Sequence, residues 1–153
     1  MKKIEELFNE YAESHKNKTN QLIHFYCVPA IFFSIVGLFM SIPSDSISNQ
    51  LNINNPFIEN WAAIILVFLL FYYLYLSFTT FVRMLTFSIF CLVGNYFLSQ
   101  NLNLFYSSIF IFIFAWIGQF YGHKIEGKKP SFFKDLTFLL IGPAWVFEKL
   151  LKK

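Results

Sequence analysis

The chain has 153 residues, of which 56% are hydrophobic, 22% aromatic and only 14% charged, with a net charge of +3. A soluble domain of this size carries about 45–50% apolar and about 25% charged residues, so an ordinary soluble globule, a disordered segment and a fibrous repeat are excluded. The modest positive charge, with Lys and Arg not interleaved with aromatics, also argues against a nucleic-acid partner. The class that remains is an all-α integral membrane protein forming a single domain over residues 1–153.

In chain order, the first element is an amphipathic helix over residues 1–16. Ile4, Leu7, Phe8, Tyr11, Ala12 and His15 recur at helical spacing on one stripe, and Glu5, Glu6, Glu10 and Glu13 occupy the rest of the surface. Lys2 and Lys3 look like the start of a signal peptide, but glutamates follow where the apolar region would stand, so no signal peptide is expected. The run Lys16-Asn17-Lys18-Thr19-Asn20 reads as a helix stop, with Thr19 or Asn20 as the N-cap of the next helix.

Four apolar stretches then approach the length of about 20 residues that crosses a bilayer: 22–42, 61–82, 84–99 and 104–122. Arg83 separates the second from the third, and the loop Pro43–Asn60 is the one linker-like stretch. The expected architecture is a four-helix membrane bundle. If the four spans alternate, all 12 Lys and Arg residues fall on one side. By the positive-inside rule both termini then face the cytoplasm of a bacterial inner membrane or, in a eukaryote, of the endoplasmic reticulum. A last apolar segment, 132–151, is interrupted by Gly142 and Pro143 and carries Lys134 and Asp135 near its start. It reads as a broken, re-entrant or interfacial helix rather than a fifth span.

The chemistry-bearing residues are few. Cys27 and Cys91 lie in apolar stretches and read as small apolar filling. The three histidines, His15, His24 and His123, all fall at the cytoplasmic end of the expected bundle. Ionisable groups near a membrane core are costly and usually functional, which sets this trio apart from ordinary interfacial histidines. Asn20 shares a helix face with His24, and Gln119 shares one with His123. Glu126 stands one turn further on, Gly127 suits a helix C-cap and Pro130 a stop. Neutral imidazole suits Zn, Fe, Cu or Ni. Three His, or two His with Glu126, would leave positions open for substrate or O2, as non-haem Fe(II) oxygen chemistry requires. Too few carboxylates are present for a di-iron bundle, and no P-loop, dinucleotide fingerprint, metalloprotease motif or nucleophile elbow occurs.

Three segments carry a resemblance. His15-Lys-Asn17-Lys-Thr-Asn20-Gln-Leu-Ile-His24 with Pro29, then Gln119-Phe-Tyr-Gly122-His123-Lys-Ile-Glu126-Gly127-Lys-Lys-Pro130, then Ile141-Gly142-Pro143 with Glu148, follow one another from about Tyr11 to Glu148. In this order they resemble a membrane family, once of unknown function, that contains Fe(II)-dependent 2-hydroxy fatty acid dioxygenases of fatty acid α-oxidation. Lys18 stands where the pattern has Pro, and Ser131 where Ala is common; neither is a candidate ligand. The resemblance implies Fe(II) held by His15, His24 and His123. It implies a 2-hydroxy fatty acid and O2 as reactants, and cleavage of the C1–C2 bond to leave a fatty acid one carbon shorter. On the same footing Lys128 or Lys129 would steer the carboxylate, and Asn20, Gln119 and Glu126 would orient imidazoles. The competing class is a small lipid-binding or structural membrane protein whose histidines bind no metal.

The charge asymmetry yields the first prediction. A reporter fused after Lys153 should read as cytoplasmic; an extracytoplasmic reading contradicts the four-span arrangement.

Overall fold

The computed structural model describes residues 2–13, 16–53, 55–127 and 132–151. Among the described residues there are seven helices and no strand: α1 (Lys2–Glu13), α2 (Lys18–Met40), α3 (Asp45–Leu51), α4 (Trp61–Leu76), α5 (Phe78–Asn101), α6 (Leu104–Glu126) and α7 (Phe132–Leu151). They form two compact units. One comprises residues 1–32 and 112–153, the other residues 33–111.

Three helices, α2, α5 and α6, are long and apolar enough to cross a membrane. At 1.5 Å per residue, the 23 residues of α2 or α6 extend about 35 Å, more than the hydrocarbon thickness of about 30 Å. Their outward side chains are apolar: Phe90 is 65% exposed, Phe110 61% and Ile117 58%. In water such a surface would drive aggregation; in lipid it is the expected exterior.

The boundary between the second and third apolar stretches lies at Ser77 rather than at Arg83. Ser77 takes an extended backbone (φ −169°, ψ 135°), its N–H closes α4 on the Tyr73 carbonyl, and its own carbonyl accepts from Phe81 to start α5. The expected span 61–82 is therefore cut to the 16 residues of α4, about 24 Å of helix, and the expected span 84–99 is lengthened to the 24 residues of α5. Arg83 misleads because an arginine near a helix end can lie along the helix and snorkel its guanidinium outward without breaking it.

The unit of residues 33–111 is closed by buried polar contacts as well as apolar ones. Tyr73, Met84 and Cys91 are fully buried. Asn95, also fully buried, donates through Nδ2 to the carbonyls of Phe33 (3.0 Å) and Cys91 (2.9 Å), which joins α5 to α2. The loop 43–60 is more ordered than a linker. It contains α3, whose Ile47 is buried, and Glu59 accepts from the Ile53 N–H at 2.7 Å. Asn60 caps α4 by accepting from the Ala63 N–H.

In the other unit, the apolar stripe of α1 lies against α7. Trp145 and Val146 are buried, and Phe8 and Ala12 of α1 and Phe25 of α2 pack on them. Ile4 is buried while Glu5 and Glu6 are exposed, as the helical periodicity predicts. The last helix is one continuous element, not a broken pair: α7 passes through Gly142 and Pro143. Proline removes one backbone donor and crowds the preceding turn, which bends a helix more readily than it ends one when both sides are packed. Here Ile141, Ala144 and Val146, on either side of Pro143, are all buried.

Candidate functional site

The site is built where α2 and α6 run side by side. Its register can be read from two glycines. Gly118 faces Cys27 and Ile23, and Gly122 faces Ile23 and Asn20. As numbers fall along α6 they rise along α2, so the helices are antiparallel, with the start of α2 beside the end of α6. A Cβ at position 122 would collide with Oδ1 of Asn20. Gly122 leaves room for the Asn20 side chain at this close approach, the usual use of small residues between membrane helices.

This register brings two of the three histidines together. His24 on α2 and His123 on α6 are 3% and 8% exposed, and their ring centroids lie 5.2 Å apart at an interplanar angle of 83°. Each imidazole follows a buried amide by one turn: Asn20 (0% exposed) precedes His24, and Gln119 (4% exposed) precedes His123. His15, the third sequence candidate, lies outside the described residues, as do Lys128 and Lys129.

Glu126 has a definite role. Its carboxylate accepts the backbone N–H groups of Lys16 (2.8 Å) and Asn17 (3.1 Å) and the Nδ2 amide of Asn20 (2.9 Å). Asn17, not Thr19 or Asn20, is the N-cap of α2. Its carbonyl takes the first helical bond, from Gln21 N–H at 2.9 Å, and its Oδ1 accepts from Thr19 N–H at 2.8 Å. In a capping box, a glutamate three residues after the cap returns to the cap residue's own N–H. Here that position is Asn20, too short to return, and Glu126 supplies the carboxylate from another helix. The arrangement also settles a dipole conflict. A carboxylate at the C-terminal end of its own helix is unfavourable, but at the N-terminus of α2 it is favourable. Gly127 then turns the chain away with φ +71°, a conformation glycine adopts without strain.

Lys149 of α7 is a further polar group of this unit. Its Nζ donates to Gln21 Oε1 at 2.6 Å and lies 4.5 Å from the centroid of the Trp145 ring. Partial burial lowers its pKa from the ordinary lysine value. Sequence reasoning missed this pair, since nothing local marks Gln21 or Lys149. It also missed Asn17, although an Asn just before an apolar helix is a cap signal.

Imidazole nitrogen is a donor of the type Fe(II) accepts. Among the described residues, no group of three His, Cys, Asp or Glu is placed to hold a metal ion. Glu126 is bonded to Lys16, Asn17 and Asn20, and of the histidine candidates the described residues bring together His24 and His123.

A family model described as 2-hydroxy-palmitic acid dioxygenase Mpo1-like matches residues 1–153 of this chain. No curated protein and no solved structure gives a match.

The capping geometry makes a prediction. Glu126→Gln keeps one acceptor oxygen but loses the charge and places an NH2 group against N–H donors. Hydrogen exchange of the Lys16 and Asn17 amides should accelerate, with a cost of about 1–3 kcal/mol locally. Activity should fall by only about 10–100-fold, as for a group that positions ligands rather than being one. Unchanged exchange at both amides contradicts the capping role.

Proposed function

The chain belongs to the Mpo1-like family, and from that premise we propose that it is a membrane-embedded non-haem iron dioxygenase of fatty acid α-oxidation. It cleaves the C1–C2 bond of a 2-hydroxy fatty acid and leaves a fatty acid one carbon shorter. The observation that carries this reading is the buried His24–His123 pair, held where two apolar, membrane-length helices meet. A histidine pair of purely structural value would not need that setting, because ionisable groups at membrane depth are costly.

In this reading His15, His24 and His123 hold Fe(II). Lys16, the residue after His15, is bonded to Glu126, which is three residues after His123. Glu126 thereby ties the N-terminal histidine motif to the second one. Bound iron would supply the redox chemistry by which O2 attacks an otherwise unreactive carbon chain. The rest is the protein's task. The antiparallel α2 and α6 keep both imidazoles out of bulk water, and the Asn17–Asn20–Glu126 contacts fix the helix ends that bear them. Lys128 and Lys129 steer the substrate carboxylate to the interface, while the acyl tail stays among the apolar side chains of the spans. With α4 as a fourth, short crossing, accommodated by local thinning of the bilayer, both termini and the histidines share the cytoplasmic side.

The test is product analysis. Purified protein supplied with Fe(II), O2 and 2-hydroxypalmitic acid should form the acid one carbon shorter. His24→Ala should reduce this to background with helicity and detergent stability preserved, since the helices are held by packing rather than by metal. Wild-type turnover in His24→Ala contradicts the dioxygenase reading and favours a lipid-binding protein without metal chemistry.

A further inference from the structure

Two buried N–H donors on α6 have no acceptor. Nε2 of Gln119 and Nε1 of Trp116 are both inaccessible to solvent and make no hydrogen bond. Gln119 is 4% exposed and, on the α6 face that carries His123, is its neighbour one turn back. Trp116 is one turn further along the helix, its ring against Phe112 (6.0 Å) and Phe120 (5.5 Å). A buried donor left unbonded is unfavourable and rare, and in a native site it calls for a partner such as water, an ion or a ligand.

The sign of the missing partner follows from the atoms. An indole Nε1 can only donate, so its assignment does not depend on how an amide is oriented. Trp116 therefore needs an acceptor, and the amide of Gln119 has a donor to offer one beside it. Position narrows the choice further. The helices are antiparallel, so residues of lower number on α6 lie away from the Glu126–Asn17 end and toward the apolar interior of the span. A fatty acid whose head group lies at the histidine pair must send its chain in that direction, and the first atom it carries past C1 is C2.

We propose that Gln119 is the residue that distinguishes a 2-hydroxy fatty acid from an unsubstituted one, by donating its Nε2 hydrogen to the 2-hydroxyl oxygen. The inference rests on the dioxygenase reading and adds the origin of its substrate preference. Gln119 is suited to this because its Nε2 makes no hydrogen bond, whereas the side-chain amide of Asn20, its counterpart on α2, already donates to Glu126. A site built to bond an oxygen rejects the analogue that lacks it far more strongly than a pocket discriminates by size.

The test compares affinities of the full chain in detergent for 2-hydroxypalmitic and palmitic acid, with Fe(II) supplied and O2 excluded. Thermal unfolding is measured in parallel for Gln119→Leu and Gln119→Met. Both variants should narrow the preference for the hydroxy acid by about tenfold or more. Palmitic acid binding should not weaken. The unfolding midpoint of the ligand-free protein should hold or rise, because an unbonded donor has been replaced by an apolar group. A preference kept in both variants, or a lowered midpoint in both, overturns the role of Gln119 while leaving the dioxygenase reading intact. If the unsubstituted chain itself shows no preference for the hydroxy acid, the functional reading and this inference fall together.

Discussion

The carboxylate of Glu126 closes the site. It stands at the last residue of α6 and takes the N–H groups of Lys16 and Asn17, just before α2, and the side-chain amide of Asn20, so that one side chain joins two segments 106 to 110 residues apart. Without it the N-terminus of α2 would present unsatisfied donors beside a membrane, and the end of α6 would carry a carboxylate against its own dipole. Each problem is the other's solution. The bond also fixes the relative height of α2 and α6, and that height decides which residues of the two helices are opposite.

The histidine pair faces across this register, and the absence of a Cβ at Gly122 leaves room for Asn20 beside it. Lipid offers no hydrophobic drive for helices to associate, so close approach of small residues and interhelical polar bonds must do so. In the unit of residues 33–111 the same physics acts through Asn95, bonded to the Phe33 carbonyl across two helices. In the unit that holds the site it acts through Asn20 and Glu126, with α1 and α7 packed through Phe8, Ala12, Trp145 and Val146. The histidines gain a buried setting beside these polar contacts.

Much of this was legible in the sequence, for physical reasons. Apolar runs of bilayer length declare α2, α5 and α6, and the 3.6-residue periodicity of Ile4, Leu7, Phe8 and Ala12 declares α1. The family motifs single out His24, His123, Asn20, Gln119 and Glu126, since they cluster in two short segments. What could not be read depends on tertiary context. Ser77 ends α4 although serine is common within membrane helices, and Arg83 does not end a helix although charge suggests a boundary. Pro143 is carried inside α7 because its neighbours are packed. The partners of Glu126 are invisible locally, being over a hundred residues away, and the unbonded state of Gln119 is a property of the folded interior alone.

The iron-binding role proposed for the buried histidine pair on α2 and α6, with Glu126 beside it as a structural bond rather than a ligand, is open to direct measurement. X-ray absorption at the iron edge of Fe(II)-loaded protein measures this directly, because imidazole ligands leave a characteristic multiple-scattering pattern. The pattern should lose one imidazole in His24→Ala and stay unchanged in Glu126→Gln. An imidazole count unaltered by His24→Ala, or an iron site lost on Glu126→Gln with the fold retained, would contradict this role.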